Sequence, residues 1–334
     1  MSRATVLVTG GAGYVGSHAC KALARAGFLP VTFDNLSTGN RWAVRWGPLE
    51  IGDVLDPPAL HLAFKRHRPA AVMHFAAAAL VGESVREPGL YWRLNLLGTL
   101  NLVEACRIHE VPVLVFSSTC AIYGIPPRIP IDEQAPKEPI NPYGASKLAA
   151  ERLLHDAEAA YGLRFAALRY FNAAGADPEG EIGEHRAVET HLVPLLLDAV
   201  LGLRPPLRLL GTDYPTPDGT AIRDYVHVCD LAVAHVRALE CLLAGGPSFA
   251  CNLGTGRGHS VRQVIETAER ITGRRVPHVE APRRPGDPPI LVADATYARE
   301  RLHLMPSDLM GLERILETAW AWHSEHRARR LRAN

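Results

Sequence analysis

Thr5-Val-Leu-Val-Thr-Gly10-Gly-Ala-Gly13-Tyr-Val-Gly16 decides the fold of this 334-residue chain. The first five residues form a short apolar, β-branched run and read as a strand. Glycines stand at 10, 13 and 16, and an amphipathic helix is expected over Tyr14–Ala26. A strand that ends in a glycine turn and opens a helix presents backbone N–H groups and positive dipole to an anion. Glycine also lets a pyrophosphate approach the backbone where a Cβ would intervene. Gly10, Gly13 and Gly16 are therefore candidate contacts for a dinucleotide.

The pattern continues outward from that turn. Strands are expected at Pro30–Phe33, Leu49–Ile51, Ala71–Phe75, Val113–Ser117 and Phe165–Arg169, with helices at Pro57–His67, Pro88–His109 and Pro142–Tyr161. Such alternation implies βαβ units, hence an α/β fold with a Rossmann-type, doubly wound parallel sheet. Asp34 closes the second strand, where a carboxylate accepts hydrogen bonds from a ribose diol and repels a 2′-phosphate. Asn35 follows it, which favours NAD over NADP, although Arg41 is near in sequence. Asp53 follows the third strand and suits either an adenine edge or a helix N-cap.

Bulk composition sets limits. Hydrophobic residues make up 47% and mean hydropathy is −0.01, values of a globular protein with a large core. A formal charge of +1 argues against nucleic-acid or membrane-surface partners. No apolar run reaches membrane-spanning length, and the N-terminus does not read as a signal peptide. Six cysteines without a Cys-x-x-Cys pair fit free thiols in a reducing cytoplasm. No His-Glu-x-x-His or similar cluster occurs, so no metal is expected.

Tyr143 and Lys147 lie four apart in Asn141-Pro-Tyr-Gly-Ala-Ser-Lys147, and the chain has only four lysines. Chance alone supplies a Lys four places after a Tyr about 0.1 times in such a chain. Asn141 suits an N-cap and Pro142 the first helical position, which places both side chains on one helical face. A neighbouring ammonium favours a phenolate, so the pair can form a general base for a hydroxyl proton.

Taken together, these motifs resemble the extended short-chain dehydrogenase/reductase family, and within it the UDP-sugar 4-epimerases. The resemblance extends from Val8 to about Asp294. It includes Phe116-Ser-Ser-Thr119, Arg169-Tyr-Phe-Asn172, Asp213-Tyr-Pro-Thr-Pro-Asp-Gly-Thr220, Arg223-Asp-Tyr-Val-His-Val228 and Arg283-Arg-Pro-Gly-Asp287. The resemblance implies NAD-dependent interconversion of UDP-glucose and UDP-galactose: oxidation at C4, rotation of the 4-keto sugar and re-reduction. Other UDP-sugars, such as UDP-N-acetylglucosamine or a UDP-pentose, and the nucleotide-sugar 4,6-dehydratases are the alternatives. Dehydratases carry an Asp-Glu pair after the Thr, whereas Cys120 and Ala121 follow here.

By the same resemblance Tyr143 is the base, Lys147 holds the nicotinamide ribose and tunes Tyr143, and Thr119 is the catalytic hydroxyl. Ser118 is its competitor by adjacency. Tyr14, Val15, Val54, Phe75, Ala76, Asn95, Ser117 and Tyr170 complete the implied cofactor contacts. Two departures stand out: Ala79 replaces a lysine that reaches the cofactor, and the Asp34–Asp53 stretch is too short for a surface helix common in the family. A homodimer through the two long helices is also implied.

After Asn172 proline and glycine become frequent, which indicates a smaller mixed α/β region for substrate. The expected division is 1–174 plus about 224–244 for NAD, and about 175–223 and 245–334 for the UDP-sugar. Arg223 and Arg284 suit a pyrophosphate, since guanidinium binds phosphate oxygens bidentately. Asn172, His191, Leu192, Tyr225 and Asp287 are the other candidate substrate contacts, and Leu291 aligns with the position that gates the sugar pocket.

Overall fold

The computed structural model describes residues 3–284 and 287–333. Pro285 and Gly286 of the Arg283–Asp287 motif, and Met1, Ser2 and Asn334 of the expected domains, lie outside the described residues. The first half runs β1 (Thr5–Thr9), α1 (Tyr14–Arg25), β2 (Leu29–Asp34), β3 (Leu49–Ile51), α2 (Pro57–His67), β4 (Ala71–His74), α3 (Val81–Arg86), α4 (Pro88–Tyr91), α5 (Gly98–Ile108), β5 (Val113–Thr119), α6 (Pro142–Tyr161) and β6 (Arg164–Tyr170). Then follow β7 (Asn172–Ala174), α7 (Leu192–Val200), β8 (Leu207–Leu210), β9 (Ile222–His227), α8 (Val228–Leu243), β10 (Phe249–Leu253), β11 (Gly258–Ser260), α9 (Val261–Thr272), β12 (His278–Ala281), β13 (Ile290–Leu291), α10 (Thr296–Arg301) and α11 (Leu312–Ala333).

Seven strands form one parallel sheet in the order β10-β6-β5-β4-β1-β2-β3. Its central strands carry apolar side chains on both faces, because helices cover both, and polar residues gather toward their C-terminal ends. Strand alternation sends Val6 and Val8 into the core shared with α1 and α8, while Leu7 enters the core shared with α2, α5 and α6. Asn141 caps α6 as its sequence predicts, its Oδ1 accepting from Gly144 N at 2.9 Å.

Six strands are expected from the pattern; the seventh, β10, pairs with β6 from beyond α8. A five-residue strand far from the regular alternation carries too little periodicity to be placed by sequence. The expected helix over Pro88–His109 is interrupted by a π-helical segment, Trp92–Leu97. So short a wide turn is hard to separate from the α-helical pattern on either side of it.

The rest of the chain builds a four-stranded sheet, with β9 between β11 and β13 and also paired to β7, and a two-stranded parallel sheet of β8 and β12. Helices α7, α9 and α11 supply the apolar side chains of this second core. Of the 224–244 stretch, α8 packs on α1, while the strand β9 belongs to the smaller sheet.

A buried ion pair ties strands of the main sheet to α6. Arg169 Nη2 on β6 donates to Glu151 Oε2 on α6 at 2.6 Å, and Ser118 Oγ on β5 donates to Glu151 Oε1 at 2.5 Å. Arg169 Nη1 reaches Tyr123 Oη, whose hydroxyl donates to Asn252 Oδ1 on β10 at 2.7 Å. No helix among the described residues is long and apolar enough to cross a membrane, and all six cysteines are free.

Candidate active site

Parallel strands of a doubly wound sheet leave a crevice at their C-terminal ends, where the order reverses. Here that crevice is a cleft of about 750 Å³ running from the glycine turn to the second region. Gly10 adopts φ +74°, and a Cβ on it would stand 2.5 Å from Ala76 N. At Gly16 a Cβ would meet Gly10 O at 2.2 Å. Gly13 differs: its nearest conflict is Gly10 O at 3.2 Å, so the fold itself asks less of it. We predict that Gly16→Ala lowers stability by about 1–3 kcal/mol, read as a shift in denaturant midpoint.

Asp34 ends β2 with its carboxylate fixed in place: Oδ2 accepts from Ala12 N at 3.0 Å and Oδ1 from Leu36 N at 2.8 Å. Burial pushes its pKa up, against those two backbone donors. Asn35 Nδ2 donates to Asp53 Oδ2 at 2.8 Å, so these two residues form one unit. The N-cap of α2 is Asp56, not Asp53. Tyr14, Val15, Val54, Phe75, Ala76 and Ala79 also line the cleft. A glycine cradle, a fixed carboxylate and a long cleft together fit a dinucleotide.

Asn95 is the cofactor candidate that the structure keeps out of the cleft. Its Oδ1 accepts from Ala78 N, and its Nδ2 donates to Ala78 O and Ser146 Oγ, each within 3.0 Å. The π-helical turn directs it to the back of the 76–80 loop, where it holds that loop against α6.

Strand alternation sends three adjacent hydroxyls on β5 to different sides of the sheet. Ser117 Oγ meets Tyr170 Oη at 2.5 Å and lines the cleft. Ser118 points to the opposite side, into the Glu151–Arg169 pair. Thr119 returns to the cleft, where its Oγ1 accepts from Ala121 N at 3.1 Å and its hydroxyl also bonds Tyr143.

Tyr143 and Lys147 both line the cleft. The expectation that Lys147 lowers the Tyr143 pKa is not met among the protein's own groups. Desolvation raises the phenol well above its ordinary value and Tyr170 adds to this, while a hydrogen bond with Thr119 opposes it. Burial in turn pushes Lys147 down to about 7, against the pull of Glu151. Its Nζ donates to Ser117 O at 2.9 Å and lies 4.7 Å from the Phe116 ring centroid. Burial thus disfavours charge on both groups, and this outweighs their helical spacing.

At the other end lie Asn172, Leu192, Tyr225, Arg223, Arg284, Asp287 and Leu291. Arg223 Nη2 pairs with Asp287 Oδ1 at 2.5 Å, and its Nη1 donates to Ile222 O at 2.8 Å. Among the described residues Arg284 has no carboxylate partner, which leaves its guanidinium to the cleft.

Sequence reasoning missed Glu184 and Arg186, which line the same cleft. They sit in an irregular loop, where only the folded chain reveals their partners. His191 Nδ1 lies 3.1 Å from Glu184 Oε1 and 3.0 Å from Glu189 Oε1. Burial lowers the imidazole pKa, but the charge and hydrogen bonds of these two glutamates outweigh it and hold the value at about 9. A raised pKa stabilises the fold fully below about pH 6.5, the unfolded value, and the contribution fades as pH rises through about 9. His191→Gln should therefore be less stable than wild type at pH 6, with the difference vanishing by about pH 10. Denaturant titrations at the two pH values check this.

Comparison with known proteins agrees with this geometry. Residues 6–254 match the model of the NAD dependent epimerase/dehydratase family. A UDP-glucose 4-epimerase of Rhizobium leguminosarum bv. trifolii is 49% identical over 325 residues, covering 97% of this chain and 99% of the relative. The crystal structure of UDP-glucose 4-epimerase from Brucella ovis in complex with NAD superposes with a TM-score of 0.92 at 51% identity, covering 95% of this chain and 98% of the other. The Bifidobacterium longum enzyme, solved in complex with NAD+ and UDP, gives 0.92 at 34% identity, covering 97% and 99%. Sheet order, glycine turn, the Tyr–Lys helix and these matches converge: the chain belongs to the NAD dependent epimerase/dehydratase family.

Proposed function

We propose that this chain is an isomerase that interconverts UDP-glucose and UDP-galactose by inverting C4 of the sugar, with NAD as its cofactor. One observation carries the reading. A single cleft joins the glycine turn and Asp34, then Thr119, Tyr143 and Lys147, and finally Arg223, Arg284 and Asp287. Relatives about half identical over almost the whole chain bear the matching name.

NAD supplies the hydride acceptor and donor for C4. The chain supplies the rest. Gly10, Gly13 and Gly16 leave room for the pyrophosphate at the N-terminus of α1, and Tyr14, Val15, Val54, Phe75 and Ala76 wall the dinucleotide. Asp34 holds the adenosine ribose and discriminates against a 2′-phosphate, and Asn35 with Asp53 flanks the adenine. Arg41 is not among the cleft residues, which supports NAD over NADP. Ser117, Tyr170 and Lys147 orient the nicotinamide end, with Asn95 acting from behind through Ala78.

Tyr143 accepts the proton of the C4 hydroxyl, and Thr119 donates a hydrogen bond to the oxygen as it becomes a carbonyl. Arg284 and Arg223 neutralise the sugar pyrophosphate, Asp287 accepts a ribose hydroxyl, Leu192 and Tyr225 flank the uridine, and Asn172 and His191 meet phosphate or sugar oxygens. A dehydratase needs a further acid and base next to Thr119. Cys120 there is buried, with its thiol pushed up to about 12, and Ala121 has no ionisable group.

The division into an NAD part (1–174 with 224–244) and a UDP-sugar part (175–223 with 245–334) follows from the same assignment. Exposed Trp92, Leu97, Leu100, Ile108 and Tyr161 on the two long helical stretches support a homodimer through them. Free cysteines and the sugar-nucleotide substrate support a cytoplasmic location in galactose metabolism.

The test is direct. Purified protein is incubated separately with UDP-galactose, UDP-N-acetylgalactosamine and UDP-xylose, and the C4 epimers are resolved by chromatography with mass detection. UDP-glucose should form fastest from UDP-galactose, without change of mass. A product lighter by one water, or no conversion of any UDP-sugar, overturns the reading.

A further inference from the structure

Two segments distant in sequence line the same cleft: Ser37, Thr38 and Gly39 after β2, and Glu184, His185 and Arg186 before α7. Gly39 belongs to the ribose end, since a Cβ there would stand 2.8 Å from Asp34 Oδ1. The two segments are joined directly, Asn40 Nδ2 donating to His185 O at 3.0 Å.

Behind that bond lies an aromatic stack. Trp42 meets His185 edge-on at 6.2 Å and stacks on Trp322 of α11 at 6.0 Å, with the planes 28° apart. His326 stacks on Trp322 at 4.4 Å and lies 5.0 Å from Trp42. Trp322 is buried, and Gly183 presses on its indole so closely that a Cβ would meet it at 2.4 Å.

Further bonds pin the start of the same loop to the first domain. Tyr14 Oη donates to Gly175 O at 2.6 Å, Lys21 Nζ pairs with Asp177 at 2.7 Å, and Arg45 pairs with Glu181 at 3.2 Å. The cleft wall is thus continuous from the segment after β2 to the segment before α7, and α11 backs it.

We propose that the Asn40–His185 bond and the Trp42–Trp322–His326 stack form a clasp that retains the dinucleotide, so that NAD is released only when residues 37–42 part from residues 183–186. The clasp rests on the assignment of this cleft to NAD. It separates cofactor exchange from catalysis, because none of Asn40, Trp42, Trp322 and His326 lines the cleft. Parting the segments breaks a hydrogen bond and unstacks half-buried Trp42 from buried Trp322 together, which slows release.

Full-length protein loaded with NAD is diluted into a trap for the free cofactor, and release is followed for wild type, Trp42→Ala and Asn40→Ala. Release should quicken about tenfold in W42A and several-fold in N40A. UDP affinity and turnover at saturating NAD should stay near wild type. If W42A does not fold, N40A, which removes only one hydrogen bond, carries the test alone. Release as slow as wild type in folded variants overturns the clasp. Failure of the wild type itself to bind NAD overturns the assignment beneath it, and the two failures are told apart by the wild-type measurement.

Discussion

Replacing Tyr143 with phenylalanine lowers turnover by about a hundred- to ten-thousand-fold, the range of a lost general acid–base group. The ring of Phe keeps the edge-to-face packing on Tyr91, now 6.2 Å between centroids, so the cleft keeps its shape. Thr119 still donates through a hydroxyl whose oxygen is held by Ala121 N, but it is no base. NAD and UDP should bind as before, since neither the glycine turn nor Arg284 is altered. Turnover and calorimetric binding, measured on one preparation, test the claim. Near-normal activity in Y143F would remove the phenol from the mechanism.

Loss of Arg169 should be the most damaging single change to stability among the ion pairs described. Arg169→Ala leaves Glu151 buried and unpaired, at a cost of about 3–5 kcal/mol. The guanidinium also holds Tyr123 Oη at 3.0 Å, and through it Asn252 on β10, so β5, β6, α6 and β10 loosen together. Arg152→Ala is the control. Its partner Asp156 is exposed, and loss of such a pair changes stability by about 0.5 kcal/mol or less. Replacing both Arg169 and Glu151 with methionine should cost less than R169A alone, because no charge is stranded. Urea titrations of the four proteins order the effects. Equal midpoints for R169A and R152A would contradict the argument.

What could be read from the sequence was local in origin. The glycine turn, the Asn141 cap with its Tyr–Lys helix, and six strands each leave a signature within about twenty residues. Longer-range features left none. Ser118 and Thr119 are equivalent in sequence, and only the pleat of β5 parts them, one toward Glu151 and the other toward the cleft. Asn95 is implied by the resemblance alone, and the π-helical segment turns it toward Ala78, behind the wall. Glu184 and Arg186 lie in a loop without periodicity, and their relation to His191 exists only once the second region has folded. The pKa of Tyr143 follows the same rule: helical spacing predicts a cation nearby, but desolvation is set by the whole cleft.

The position of β10 at one edge of the main sheet has a consequence for biosynthesis. Its partner β6 leaves the ribosome first, and the residues between Tyr170 and Phe249 must follow before that edge is covered. At ordinary translation speeds the nascent chain shows an open row of backbone donors and acceptors for roughly five to fifteen seconds. Unpaired edges of this kind invite association with neighbouring polypeptides. Overproduction should therefore gain more soluble product from added chaperones than from any change near the cleft, and fragments ending at Ala174 should precipitate.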